Sequence, residues 1–135
     1  MPRPSKPKPT NKPAPKIPHA FVVEALDSLH PEVRRMFSGF ALYVGDTLHM
    51  MLRDSPKLPE DNGVWLVLAE GADPADAELR RELPSLRPIR TVGGKIGHWL
   101  LIPSDRDDFE TVALRACELI LRGDSRLGRV PQSRR

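Results

Sequence analysis

A single cysteine, Cys117, stands in a chain of 135 residues. No internal disulfide framework can form, and a reducing cytoplasm is the expected setting. No apolar run approaches the roughly 18–20 residues of a membrane-spanning helix, so no membrane partner is expected. The basic N-terminal stretch has prolines where a secretory signal needs an apolar segment. His19, His30, His49 and His98 are scattered, with neither an H-x-x-x-H pair nor a Cys-x-x-Cys. That spacing offers no metal site, and neither metal nor cofactor is expected.

Acidic residues are missing from residues 1–20, which hold seven prolines and the five cations Arg3, Lys6, Lys8, Lys12 and Lys16. Residues 122–135 carry five arginines against Asp124 alone. The whole chain is only +3, so the stretch between these ends is net acidic. The reading is therefore a Pro/Lys-rich disordered tail over 1–18, one domain over 19–122 and a basic C-terminal tail over 123–135. Such tails either solubilise the protein or attract nucleic acid non-specifically.

Apolar spacing predicts a helix over about 19–29, with Phe21 or Val22, Ala25, Leu26 and Leu29 on one face. Glu32 to Met36 reads as a further short helical turn after Pro31. Phe40 to Val44 alternates as a strand, and Gly45-Asp46 is a hairpin turn. The simple register sets Tyr43 opposite Leu48, Leu42 opposite His49 and Phe40 opposite Met51. Both hairpin faces are then mostly apolar, so helices or a partner subunit should cover both.

Residues 54–63 read as a surface loop and Val64 to Ala69 as a central strand. Asp73-Pro74 looks like the cap and first position of a helix running to Leu83. Ile89 to Val92, Gly93-Gly94 and Lys95 to Ile102 suggest a second hairpin. Ser104, with Asp107 three residues on, resembles a capping box for a last helix that Gly123 ends. The resulting order, αβββαββα, makes the fold class α+β with an antiparallel sheet and flanking helices.

Catalytic patterns fail one by one. Ser38 lacks the Gly-x-Ser-x-Gly setting of a nucleophile elbow. Cys117 falls beside the apolar face of the last helix. Val92-Gly93-Gly94-Lys95 lacks the Ser/Thr and the strand-to-helix context of a P-loop. Asp105 to Glu110 lacks EF-hand spacing. Arg34 and Arg35 remain, at an apparent helix end before Gly39. They either cap carbonyls there or clamp a carboxylate or phosphate. With Gly39 and His49 they form the candidate ligand or partner contact.

The stretch "RRMFSGFALYVGDTLHMML" resembles the opening signature of the TfoX (Sxy) N-terminal domain family. Arg35-Met36-Phe37-Gly39 is its most specific part, with Ser38 in place of the first glycine of the family's pair. Gly63 to Leu66 and "WLLIPSDRDDFETVALRACELI" follow the family pattern more loosely, and the likeness covers about residues 20–121. It implies the same αβββαββα order and a non-catalytic regulatory domain. TfoX proteins proper regulate DNA-uptake competence and carry a second, helical domain; only the domain type carries over here. The expected function is thus a binding or regulatory module acting through protein contacts, with a homodimer as one form of partner. The alternative is a nucleic-acid-associated accessory protein using its basic tails. An enzyme with an anion site around Arg34 and Arg35 ranks last.

Overall fold

The computed structural model describes residues 16–36, 38–90 and 98–131. The hairpin predicted around Gly45-Asp46 is its centre. Strand β2 (Gly39–Val44) turns into β3 (Thr47–Arg53), with Val44 opposite Thr47 and Tyr43 opposite Leu48. The register then slips, so that Leu42 faces Met50 rather than His49, and Phe40 faces Leu52 rather than Met51. The extra residue is His49. A bulge of this kind sends every later side chain to the opposite face. Met51, not Met50 and Leu52, therefore shares a face with Ala41, Tyr43 and Leu48.

Residues Glu32–Met36 form an edge strand, β1, antiparallel to β2, and not the helical turn that their composition suggests. Glu, Arg and Met favour helix only weakly, by tenths of a kcal/mol, and a ladder of partners overrides that preference. The helix predicted over 19–29 is split into α1 (Phe21–Ala25) and a 3₁₀ turn over Asp27–Leu29. Its apolar face is as expected, with Val22 and Leu26 buried.

Strand β4 (Gly63–Val67) is wholly buried and pairs with β3 on one side. On its other side lies β6 (Trp99–Pro103), followed by the two-residue β5 (Arg87–Pro88). All pairings in the six-stranded sheet, ordered β1-β2-β3-β4-β6-β5, are antiparallel. Strand β5 pairs antiparallel with β6 but precedes the predicted first arm, whose Ile89 and Arg90 are not in a strand. The rest of that arm, Gly93-Gly94 and the P-loop-like Lys95 lie outside the described residues.

Two helix starts fall later than predicted. Helix α2 covers Ala77–Glu82 and is capped by Asp76, whose Oδ1 accepts the Leu79 N–H at 2.8 Å. Asp73 spends its carboxylate on the Ala75 N–H in the preceding turn. Helix α3 covers Phe109–Leu121 and begins after Asp108 without a side-chain cap bond. Ser104 lies five residues before Phe109, too early to cap it, and its N–H continues the strand ladder to the Asn62 carbonyl at 2.9 Å. Gly123 follows the end of α3 as predicted and donates to Ile120 O.

The result is a single α+β domain, with one more strand than the αβββαββα order. All three helices pack on one sheet face, where Leu42, Met50, Leu66, Leu79, Leu83, Phe109, Ala113 and Ile120 share a core. Among the described residues, the second core, on the opposite face, is built from strand residues and Ile89, with Trp65 and Trp99 in edge-to-face contact at 5.7 Å. Both faces of the hairpin are buried.

The tail boundaries also shift. Ile17 already packs against the helix-side core. Leu127 is 6 % exposed inside it, so residues 123–131 belong to the folded body rather than to a free basic tail. Residues 1–15 and 132–135 lie outside the described residues.

Candidate functional site

Arg34 and Arg35 are adjacent on a strand, which sends their side chains to opposite faces of the sheet. Arg34 lies over the Tyr43 ring, 5.4 Å from its centroid, and pairs with Glu32 at 3.0 Å. Arg35 lies over the Phe40 ring on the other face, at 5.1 Å. A two-arginine clamp on one anion is therefore not built here. Each guanidinium instead covers an aromatic side chain at the sheet edge.

Gly39 is a packing requirement. A Cβ there would collide with the Leu52 carbonyl oxygen of the neighbouring strand. His49, at the bulge, sits toward the Tyr43 end of β3, whereas Gly39 pairs with Met36 at the far end of β2. The four candidate residues do not converge on one ligand position.

Near Gly39 the structure concentrates polar groups that sequence reasoning missed. Arg53 is 2 % exposed, at the end of β3. Its guanidinium donates to Ser38 Oγ, Leu58 O and Asn62 Oδ1, each at 2.8 Å, and to the Lys57 carbonyl. All four acceptors are uncharged oxygens. Ser38, the departure from the Gly-Gly signature, thus serves a buried arginine. Asn62 also accepts from the Ser55 N–H and donates to the Ser55 carbonyl, closing the 54–62 loop.

Asp61, fully buried beside it, accepts the Arg90 N–H on both carboxylate oxygens at 3.0 and 2.9 Å, with the Arg87 guanidinium 3.6 Å away. The Asp61 carbonyl accepts from Trp65 Nε1 at 2.8 Å. These groups brace loops and a strand end. Their signal in sequence is weak: Arg53 merely follows an apolar run.

Reactive chemistry has little to work with. Cys117 is buried in α3, and burial, then the nearby Glu118 charge, push its thiol up to about 12. A thiol so protonated is a small hydrophobe, not a nucleophile. Among the described residues, no group of three or more His, Cys, Asp or Glu is placed to hold a metal ion. No described helix is long and apolar enough to cross a membrane.

A groove of 580 Å³ does open between α2 and α3. Arg81 and Pro84 form one wall, and Thr111, Val112, Leu114 and Arg115 the other. Leu114 is 42 % exposed there. Arg115 is engaged with Glu118 at 3.4 Å, and Glu82, which also borders the groove, is bound by Arg126 at 2.9 Å. Arg81, by contrast, has no ion-pair partner among the described residues. An apolar spot beside an uncommitted guanidinium suits a protein segment with an apolar anchor next to a carboxylate.

Comparisons of the chain with protein-family models, with curated proteins and with solved structures find no match.

Proposed function

We propose that the chain is a non-catalytic binding or regulatory module of the TfoX N-terminal domain type, acting through protein contacts in the cytoplasm. The domain type is supported by the Arg35-Met36-Phe37-Gly39 segment and by an α+β fold with an antiparallel sheet, which carries one strand more than the family order. Protein contact is supported by the α2–α3 groove, with Leu114 exposed and Arg81 uncommitted beside it. The partner segment would set an apolar side chain on Leu114 and Val112 and a carboxylate on Arg81. A second copy of the chain is one partner able to supply such a segment.

Affinity capture from the native cell with the full chain tests this reading, in parallel with Leu114→Glu and Arg81→Glu. A protein lost from both variants supports the groove. Identical captures from all three chains would remove it.

The nucleic-acid reading keeps a narrower footing. Arg126 and Arg129 are committed to internal partners, which leaves the N-terminal cations, the exposed Arg122 and the terminal Arg134 and Arg135 as its carriers. Their binding would be non-specific, and its affinity would fall steeply with salt. A salt titration with duplex DNA measures it, and an affinity indifferent to salt would rule it out.

A further inference from the structure

Strands β3 and β4 pair from Arg53/Gly63 to Met50/Leu66 and then part. The C-terminal segment enters the gap, bridging Leu48 through Arg129 and Leu68 through Leu127. Leu48 N–H donates to Arg129 O at 2.8 Å, and Arg129 N–H donates back to Leu48 O at 2.9 Å. On the other side, Gly128 N–H donates to Val67 O at 2.9 Å and Ala69 N–H to Arg126 O at 2.8 Å. Residues 126–129 thus occupy a slot one strand wide.

Two of the four histidines flank this segment. A Cβ on Gly128 would stand 2.8 Å from Cε1 of His49 and 3.0 Å from its Nδ1, so the ring packs directly on the glycine. His49 Nδ1 is buried with no hydrogen-bond partner among the described residues. His98 lines a cavity of 280 Å³ with Arg129, Glu70, Leu48 and Val67.

We propose that residues 126–129 are a latch strand in a strand-binding slot, and that protonation of His49 and His98 releases it. A cationic His49 would carry a buried Nδ1–H that has no acceptor among the described residues in the closed form. A cationic His98 would face the Arg129 guanidinium of the latch.

The remaining charges around the slot are Asp46 on the hairpin turn, Glu70 in the cavity wall, and the latch's own Arg126 and Arg129. Arg126 is held by Asp124 at 2.6 Å, Glu82 at 2.9 Å, Glu78 at 3.4 Å and Asp76 at 3.6 Å. Arg129 Nε donates to Leu68 O at 3.1 Å. Burial lowers the pKa of His49, and burial followed by Arg129 lowers that of His98. A lowered histidine stabilises the closed latch above its free value of about 6.5, and that stability is lost as pH falls below it. At pH 5 a histidine that stays neutral in the closed form opens the equilibrium up to about 30-fold. Release would expose the Leu48 and Ala69 N–H groups and the Leu48 and Val67 carbonyls, a slot for an extended peptide.

Hydrogen exchange on the full chain tests the proposal, with rates corrected for the intrinsic effect of pH. Between pH 7.5 and 5.0 the amides of Leu48, Ala69, Gly128 and Arg129 should open on the order of 10-fold more, while Leu66 in mid-sheet stays protected. The double variant His49→Gln, His98→Gln should flatten the response to within about threefold. No opening in the natural chain, or the same opening in the double variant, overturns the proposal. Should the double variant fail to fold, NMR titration of the natural histidines decides instead. Titration of His49 and His98 below 6.5 supports the latch, and titration of both at or above 6.5 overturns it.

Discussion

Replacing Arg53 by alanine should destabilise the protein by about 4 kcal/mol or more. The side chain reaches four acceptors, the carbonyls of Lys57 and Leu58, Asn62 Oδ1 and Ser38 Oγ. A buried acceptor left without a donor costs about 1–3 kcal/mol. Four of them at the low end give about 4 kcal/mol, before any cavity left by the missing side chain. Domains of this size are stable by about 5–15 kcal/mol, so the change removes a large share. Equilibrium urea unfolding is the assay, and the melting temperature should fall by at least about 15 °C. Arg53→Lys should recover only part of the loss, because an ammonium cannot reach four acceptors in the arginine fork geometry. Ser38→Ala should cost about 1 kcal/mol. A loss below about 1 kcal/mol for Arg53→Ala would refute the reasoning, since it would mean that water satisfies the site unaided.

Gly39→Ala should cost about 1–3 kcal/mol in the same unfolding assay, because the new methyl meets a backbone carbonyl that cannot step aside. Cys117 should resist iodoacetamide at pH 8 in the native protein and react once denatured, since burial pushes its thiol up to about 12; labelling is read by mass spectrometry. Arg34→Ala and Arg35→Ala should each change stability by no more than about 1 kcal/mol, the range of an exposed cation–π contact. Phosphate should raise the melting temperature no more in the natural chain than in a chain carrying both Arg34→Ala and Arg35→Ala, a result that thermal-shift assays supply.

How much of this was legible in the sequence depended on whether local chemistry decided the outcome. The turn at Gly45-Asp46 did decide, and Val44/Thr47 and Tyr43/Leu48 pair as the turn requires. The bulge at His49 left no signal, because Met50, Met51 and Leu52 are a continuous apolar run that reads equally well in either register. β1 was hidden by helix-compatible residues whose strand state comes from pairing with β2. At α2 two aspartates offered the same capping chemistry, and Asp76 rather than Asp73 holds the helix.

The candidate site was less legible than the fold. Arg34 and Arg35 attract notice as a pair, yet strand geometry separates them. Arg53 and Arg126 carry the denser polar networks, Arg53 chiefly through uncharged oxygens of the loop that directly follows it, which no sequence pattern marks. Arg126 gathers carboxylates from α2, forty-odd residues earlier in the chain. The C-terminal charge run looked like a solvated tail because nothing in its composition marks Leu127 as a core residue.

The central claim, that this domain works through protein contact at the α2–α3 groove, is tested most directly by quantitative capture with the full chain and its Leu114→Glu variant. The account predicts a protein recovered with the natural chain and depleted at least about tenfold with the variant, the effect of about 1.4 kcal/mol at an interface anchor. Equal recovery of every protein by the two chains would contradict it.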